Sequence, residues 1–233
     1  MSLFTYKIRL IESDFFEGFT DWHSHILPGV DDGVKELEEA LEILHYFKLI
    51  GIRKVFLTPH MKNGVFINKE TLSAKVNLLR QSIKSGIELY LSAEYMLDSG
   101  FEERFKYFPL YLNENHVLVE TFCFFRQDNF YELLYHIYVD GNIPVIAHPE
   151  RYLYMEYHDY YKMKNNGYSL QLSLLSLSGY YGEAVKKRAK HLLAQNMYDC
   201  IGTDIHNFQI FKVWLNKLGV TKEQLKMLLS ISR

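Results

Sequence analysis

Short apolar runs alternate with amphipathic helical stretches seven times along this 233-residue chain, and that alternation restricts the fold more than any single motif does. The runs lie at residues 19–25, 54–59, 88–94, 116–120, 143–148, 169–174 and 200–204. After the first, Leu37, Ala40, Leu41, Leu44 and Phe47 recur at helical spacing, and Gly51 stops the helix. Further helices are expected over 69–84, 127–140, 157–165 and 179–195, with a short helical connection around FEERF and two short helices at the end. Strands joined by helices pair in parallel through right-handed crossovers. Seven such units predict a single-domain α/β fold, a distorted TIM-like (β/α)7 barrel spanning 1–233 with its core over about 19–218. A doubly wound open sheet is the alternative, because alternation does not say whether a sheet closes.

The bulk properties exclude several classes. A formal net charge of −2 gives no basic surface for gripping nucleic acid. No apolar run reaches the roughly 18–20 residues of a membrane span. The N-terminal stretch is interrupted by Lys7, Arg9, Glu12 and Asp14, so it lacks the apolar centre of a signal peptide, and a cytoplasmic setting is expected. Cys123 and Cys200 read as two buried thiols. Neither has an arginine six residues on, where the chain carries Asn129 and His206, so a cysteine-based phosphatase is excluded.

In parallel α/β barrels the reactive residues stand at the C-terminal ends of the strands. Those ends here carry His23 and His25, His60, Glu94, Glu120, His148, and Asp204 with His206; Asp32 lies in the loop after the first strand. Only the sixth strand brings no metal-capable residue. His23 and His25, like Asp204 and His206, are two apart and so share a strand face. An HxH alone reads sooner as two packed or hydrogen-bonded histidines than as a ligand pair. Charged groups at six of seven strand ends are costly unless solvated, paired or bound to a metal, and together they suit a multinuclear centre. His45, His116, His136, His158 and His191 read as structural or surface residues, Asp31 as a turn or cap residue, and the tyrosine-rich stretch 151–161 as packing.

The ordered set DWHSHILPGVDDG, TPH, AEY, VE, AHPER and TDIHN resembles the polymerase-and-histidinol-phosphatase (PHP) superfamily over residues 21–207. More closely, it is similar to the bacterial metal-dependent protein-tyrosine phosphatases associated with capsule and exopolysaccharide control. That resemblance implies a distorted seven-stranded barrel with a trinuclear metal site. Its ligands would be His23, His25, Asp32, His60, Glu94, Glu120, His148, Asp204 and His206. Arg151 would bind phosphate, with His206 as a second catalytic residue. A second arginine is expected shortly after TDIHN, where the chain instead has Lys212, a point charge without arginine's planar fork.

Imidazole and carboxylate ligands without thiolate favour two or three divalent ions, with Mn expected and Fe or Zn as alternatives. Such ions would lower the pKa of a bridging water and supply hydroxide to attack phosphorus. The implied substrate is a phosphotyrosine protein of capsule or exopolysaccharide synthesis, with a bacterial tyrosine kinase as the suggested partner. Three alternatives stand beside this reading. They are a phosphatase for histidinol phosphate or another small phosphomonoester, a nucleic-acid phosphoesterase, and a metal-binding regulatory module without turnover.

Overall fold

A computed structural model describes residues 6–65, 68–84 and 86–232. The outermost positions of the expected 1–233 domain, 1–5 and 233, lie outside the described residues. In chain order the elements are β1 (Ile8–Arg9), β2 (Thr20–Ser24), α1 (Leu37–Ile50), β3 (Lys54–Leu57), β4 (His60–Met61), α2 (Lys69–Ser82), β5 (Glu88–Leu91), β6 (Glu94–Met96), α3 (Phe101–Tyr107) and β7 (His116–Glu120). There follow α4 (Phe130–Val139), β8 (Ile143–Ala147), α5 (Tyr157–Asn165), β9 (Ser169–Ser173), α6 (Glu183–Ala194), β10 (Cys200–Gly202), α7 (Phe208–Lys217), β11 (Gly219–Val220) and α8 (Lys222–Ile231).

All seven expected strand–helix units are present, and their strands pair in parallel, but not in one unbroken barrel ladder. Hydrogen bonding divides them into a three-stranded sheet, β2-β3-β5, and a curled six-stranded half-barrel, β10-β9-β8-β7-β6-β4. The second expected strand is cut into β3 and β4 at Thr58-Pro59, where proline has no N–H to give to a ladder. The third is cut into β5 and β6 at the neighbouring position. Two seams join the sheets. At one the chain itself crosses, as β3 runs on into β4 and β5 into β6, with Ser92 N donating to Leu57 O (2.9 Å) before the break and Glu94 N to Pro59 O (3.1 Å) after it. At the other, Asp204 N donates to His23 O (2.8 Å) and His25 N to Ile205 O (3.1 Å). The antiparallel pair β1–β11, which ties the two ends of the chain together, was not expected from the alternation.

Why these stretches fold locally is simple to trace. In α1 the buried residues Ala40, Ile43, Leu44 and Phe47 form one stripe, and Gly51 ends the helix at φ 108°, where a Cβ would lie 2.8 Å from Phe16 O. The helix expected from 179 begins only at Glu183, after the turn made by Gly179 and Gly182. Along the strands the period-two alternation sorts two environments. Val117, Val119, Ile146, Leu170 and Leu172 pack outward among the helices. Phe56, Leu118, Val145 and Ala147 form a separate small cluster against Trp22 and Cys200. Further along on the same parity come Glu120 after Leu118, and Gly202 and Asp204 after Cys200. The inner face is therefore apolar low on the strands and polar at their C-terminal ends. Cys123 and Cys200 are free and half-buried, more open than the expected buried thiols, because both sit at strand margins.

Gly202 is where this inner face is tightest: a Cβ there would lie 2.3 Å from the Cβ of His23. Gly202→Ala is expected to lower stability by about 1–3 kcal/mol through overpacking, read as a reduced melting temperature. An unchanged melting curve would contradict this packing.

Candidate metal centre

The residues at the strand ends converge. Glu94 is wholly buried and central: its Oε1 lies 2.9 Å from His148 Nε2, and its Oε2 lies 2.8 Å from His60 Nδ1, 3.2 Å from His23 Nε2 and 3.3 Å from His25 Nε2. Glu120 Oε1 is 3.5 Å from His60 Nδ1. Asp32, the most open of the set, brings Oδ1 to 3.1 Å from His60 Nε2 and 3.8 Å from His206 Nε2. Asp204 Oδ1 lies 3.5 Å from His23 Nε2 and 3.6 Å from both His25 Nε2 and His206 Nδ1. All nine sequence-predicted residues thus share one site. With Asp31 added, they fall into overlapping groups that could each hold a cation: His23, His25 and Asp204; His25, His60 and His206; His23, Glu94 and His148; His60, Glu94 and Glu120; and Asp31, Asp32 and His60.

The backbone serves this convergence. His148 has the parity of outward-facing Ile146, yet its ring meets Glu94 inside, and the chain leaves the strand there in a left-handed conformation, φ 35°. Asp204 is also left-handed, at φ 53°. Such conformations in non-glycine residues cost about 1–3 kcal/mol and persist where the surroundings over-determine them.

The donor set fits metal ions on an observation independent of resemblance. His23 Nδ1 donates to Gln171 Oε1 (2.7 Å), and His25 Nδ1 donates to Asp31 Oδ2 (2.7 Å). With both Nδ1 protons so placed, the two Nε2 atoms face one another at 3.0 Å. Two lone pairs at that distance require a proton or a cation between them. Glu94 Oε2, His60 Nδ1, His148 Nδ1 and Asp204 Oδ1 are likewise buried without an aligned hydrogen bond. Unpaired buried polar atoms are costly, and here they cluster on the candidate ligands.

Electrostatics point the same way. Burial pulls His23 and His60 down, but Glu94 and its carboxylate neighbours outweigh it and raise them to about 9 and about 11. Burial, reinforced by Glu94, lifts Glu120 to about 7. Asp204 is held well below the carboxylate range, with Arg151 and His23 overcoming its burial. His148 is pushed down to about 4 by burial and Arg151.

Several residues that hold the site were not legible as such. Asp31 makes the expected turn, accepting from Gly33 N (3.0 Å), but it also orients His25 and accepts from His60 N (3.0 Å). Gln171 shows that the sixth strand does contribute, through His23. Asp21, lifted to about 7 by burial against its hydrogen bonds, accepts from Thr203 N (2.7 Å) and Oγ1 (2.6 Å) and locks the seam beneath the histidines. Arg151 Nη2 donates to Asp204 Oδ2 (2.8 Å). Lys212 instead lies over the Phe208 ring, 4.1 Å from its centroid. The lysine nearer the centre is Lys62, 3.9 Å from Asp32 Oδ2. The only advance signal for Lys62 was its place two residues after His60. Of the tyrosine-rich stretch, Tyr152 and Tyr160 are wholly buried, as packing requires.

Comparison with known proteins places the chain. The model of the family described as "Capsular polysaccharide synthesis, CpsB/CapC" matches residues 19–215. Tyrosine-protein phosphatase YwqE of Bacillus subtilis is 31% identical over 195 residues, covering 80% of this chain and 77% of the relative. Putative tyrosine-protein phosphatase CapC of Staphylococcus aureus is 29% identical, covering 80% and 76%. A solved chain from the pair YwqE of Bacillus subtilis and CpsB of Streptococcus pneumoniae, described as metal-dependent tyrosine phosphatases, superposes with a TM-score of 0.71 at 25% identity, covering 92% and 95%. The phosphotriesterase homology protein of Escherichia coli, solved with phosphate in its active site, shares the fold at a TM-score of 0.57 and 13% identity, covering 90% and 95%.

Metal uptake by this site is expected to release protons. The raised groups His23, His60 and Glu120 hold protons near neutral pH in the metal-free protein, and ligands must shed them to bind. Affinity for Mn should therefore rise with pH, and titration calorimetry in buffers of different ionisation enthalpy should show at least about one proton released per protein. A heat independent of the buffer would contradict it.

Proposed function

The chain belongs to the CpsB/CapC family of capsular polysaccharide synthesis, and on that premise we propose that it is a metal-dependent phosphomonoesterase acting on phosphotyrosine in proteins. The observation that carries this reading is the convergence of the His23 and His25 Nε2 atoms to 3.0 Å, with both Nδ1 atoms bound elsewhere, among buried carboxylate oxygens that lack a hydrogen bond. The similarity to relatives named as tyrosine phosphatases supports the substrate class. His23, His25, Asp32, His60, Glu94, Glu120, His148, Asp204 and His206 would hold two or three divalent cations. A thiolate-free set of imidazoles and carboxylates favours Mn, with Fe or Zn as alternatives. The two sheets, joined at both seams, are read as the distorted seven-unit barrel, with its domain core over about 19–218. Helices long and apolar enough to cross a membrane are absent among the described residues. The free cysteines suit the reducing cytoplasm.

Bound cations would supply an activated water and neutralise charge on the phosphoryl oxygens. The chain's own residues do the rest. Glu94 Oε1 pairs with His148 Nε2 at 2.9 Å, while Gln171 and Asp31 hold the Nε2 atoms of His23 and His25 toward the centre. Arg151, permanently charged, stands at the site to receive phosphate oxygens. His206 is held down by burial and by His25, so it is neutral near pH 7 and better suited to donate a lone pair than a proton. A phenolate leaving group, with a pKa of about 10, needs only modest protonation. Water reaching the open side beside Asp32 can provide it. The proposed substrate is a phosphotyrosine protein of capsule or exopolysaccharide synthesis, and a bacterial tyrosine kinase is the proposed partner.

The test compares a phosphotyrosine peptide, histidinol phosphate and an aryl phosphate, each with added Mn. The expected order places the phosphotyrosine peptide first in kcat/KM; preference for histidinol phosphate would replace the substrate assignment. His23→Ala and His148→Ala should each abolish turnover and lower the bound metal measured by elemental analysis. Full activity of a His23→Ala/His25→Ala double variant would sink the metal-dependent reading. Arg151→Ala should raise KM by about 10–100-fold, the worth of charge-assisted hydrogen bonds of about 1.5–3 kcal/mol.

A further inference from the structure

The two oxygens of Asp204 face different chemistry. Oδ1 points toward His23, His25 and His206 and lacks a hydrogen-bond partner. Oδ2 is saturated from the other side, accepting from Arg151 Nη2 at 2.8 Å and from the Tyr181 hydroxyl at 3.1 Å. The same tyrosine lies under the arginine, with the guanidinium carbon 4.4 Å from the centroid of its ring. Tyr181 therefore touches both the candidate phosphate-binding cation and a candidate ligand. It reaches them from outside the strands, on a tight turn in which Gly182 N donates to Gly179 O (3.0 Å) and both glycines have positive φ. Tyr180, the other residue inside that turn, packs on Tyr181 and on Trp214.

We propose that Tyr181 is a positioning residue: its hydroxyl, with Arg151, holds Asp204 so that Oδ1 alone is presented to a cation, and its ring seats Arg151 beside the site. This rests on the function proposed above. Arg151 faces two claims, since the nitrogen that pairs with Asp204 is also one that a phosphate would draw away. When the guanidinium turns toward a phosphate, the Tyr181 hydroxyl keeps a hydrogen bond on Oδ2. The carboxylate then holds its orientation through the event that would otherwise free it. The aromatic face meanwhile gives the guanidinium a surface to slide along, so it stays near the site while changing partners.

Two variants separate these tasks. Tyr181→Phe keeps the ring and removes the hydroxyl; Tyr181→Leu removes both. Melting curves of the metal-free proteins establish folding, and Mn titration by calorimetry is read beside aryl phosphate kinetics. Tyr181→Phe should weaken Mn binding about tenfold, as loss of a partner that orients a ligand does, with KM within about twofold of the parent. Tyr181→Leu should show the same loss and, in addition, a KM raised about tenfold because the guanidinium is no longer seated. Wild-type Mn affinity in Tyr181→Phe would overturn the proposal, since a purely space-filling ring predicts that result. An unchanged KM in a folded Tyr181→Leu would overturn the seating of Arg151. Should that variant not fold, the Tyr181→Phe titration decides alone. A parent protein that binds no Mn at all overturns the function itself, so the two failures are told apart.

Discussion

Glu94 sets the terms for everything around it. A carboxylate with no exposure, touched by four imidazoles, is tolerable only if positive charge surrounds it. Its Oε2 has three ring nitrogens within 3.3 Å and no aligned hydrogen bond to any of them, an arrangement better matched to an ion at the focus than to proton sharing. The fold brings the imidazoles to it from separate strands: His23 and His25 from the first unit, His60 from the second and His148 from the fifth. The cut at Thr58-Pro59 leaves the register unchanged: Leu57 pairs with Leu91 before it and His60 with Glu94 after it. The parallel register is thus what sets one candidate ligand beside its neighbour.

The candidate site was more legible than the architecture. Strand ends are marked in sequence by the change from apolar to polar residues, so His60, Glu120 and Asp204 could be placed without coordinates. Whether one ladder or two would result depended on local hydrogen bonds at Pro59 and Ala93, and periodicity carries no information about those. Helix margins failed for a similar reason: the pattern continues back to 179, but the glycine turn holds the chain out of helix until Glu183. The orienting residues were hidden differently. Gln171 looks like any polar residue in a strand, and only its hydrogen bond to His23 gives it meaning. Asp31 was read for its local turn, which it does make, while its second oxygen reaches His25 and His60.

That division has a physical basis. Ligand chemistry restricts residue type strongly, so the residues facing a metal announce themselves. Residues that orient ligands need only one acceptor in the right place, and an amide, a carboxylate or a phenol can provide it. Tyr181 belongs to this second group. Nothing in GYYG distinguishes it from Tyr180, and the difference arises only because one ring turns toward Arg151 and Asp204 while the other packs on Trp214.

The same site must also survive without its ions. Glu94, Glu120 and Asp204 crowd into one pocket, with Asp32 at its open edge, and burying those three unpaired would cost more than a domain of this size can absorb. Protons can substitute in part: His23 and His60 are raised so that they stay charged, and Glu120 is raised so that it can be neutral. Arg151 completes the compensation by pairing with Asp204. Cations held there would take over the compensation that these protons and Arg151 give in their absence.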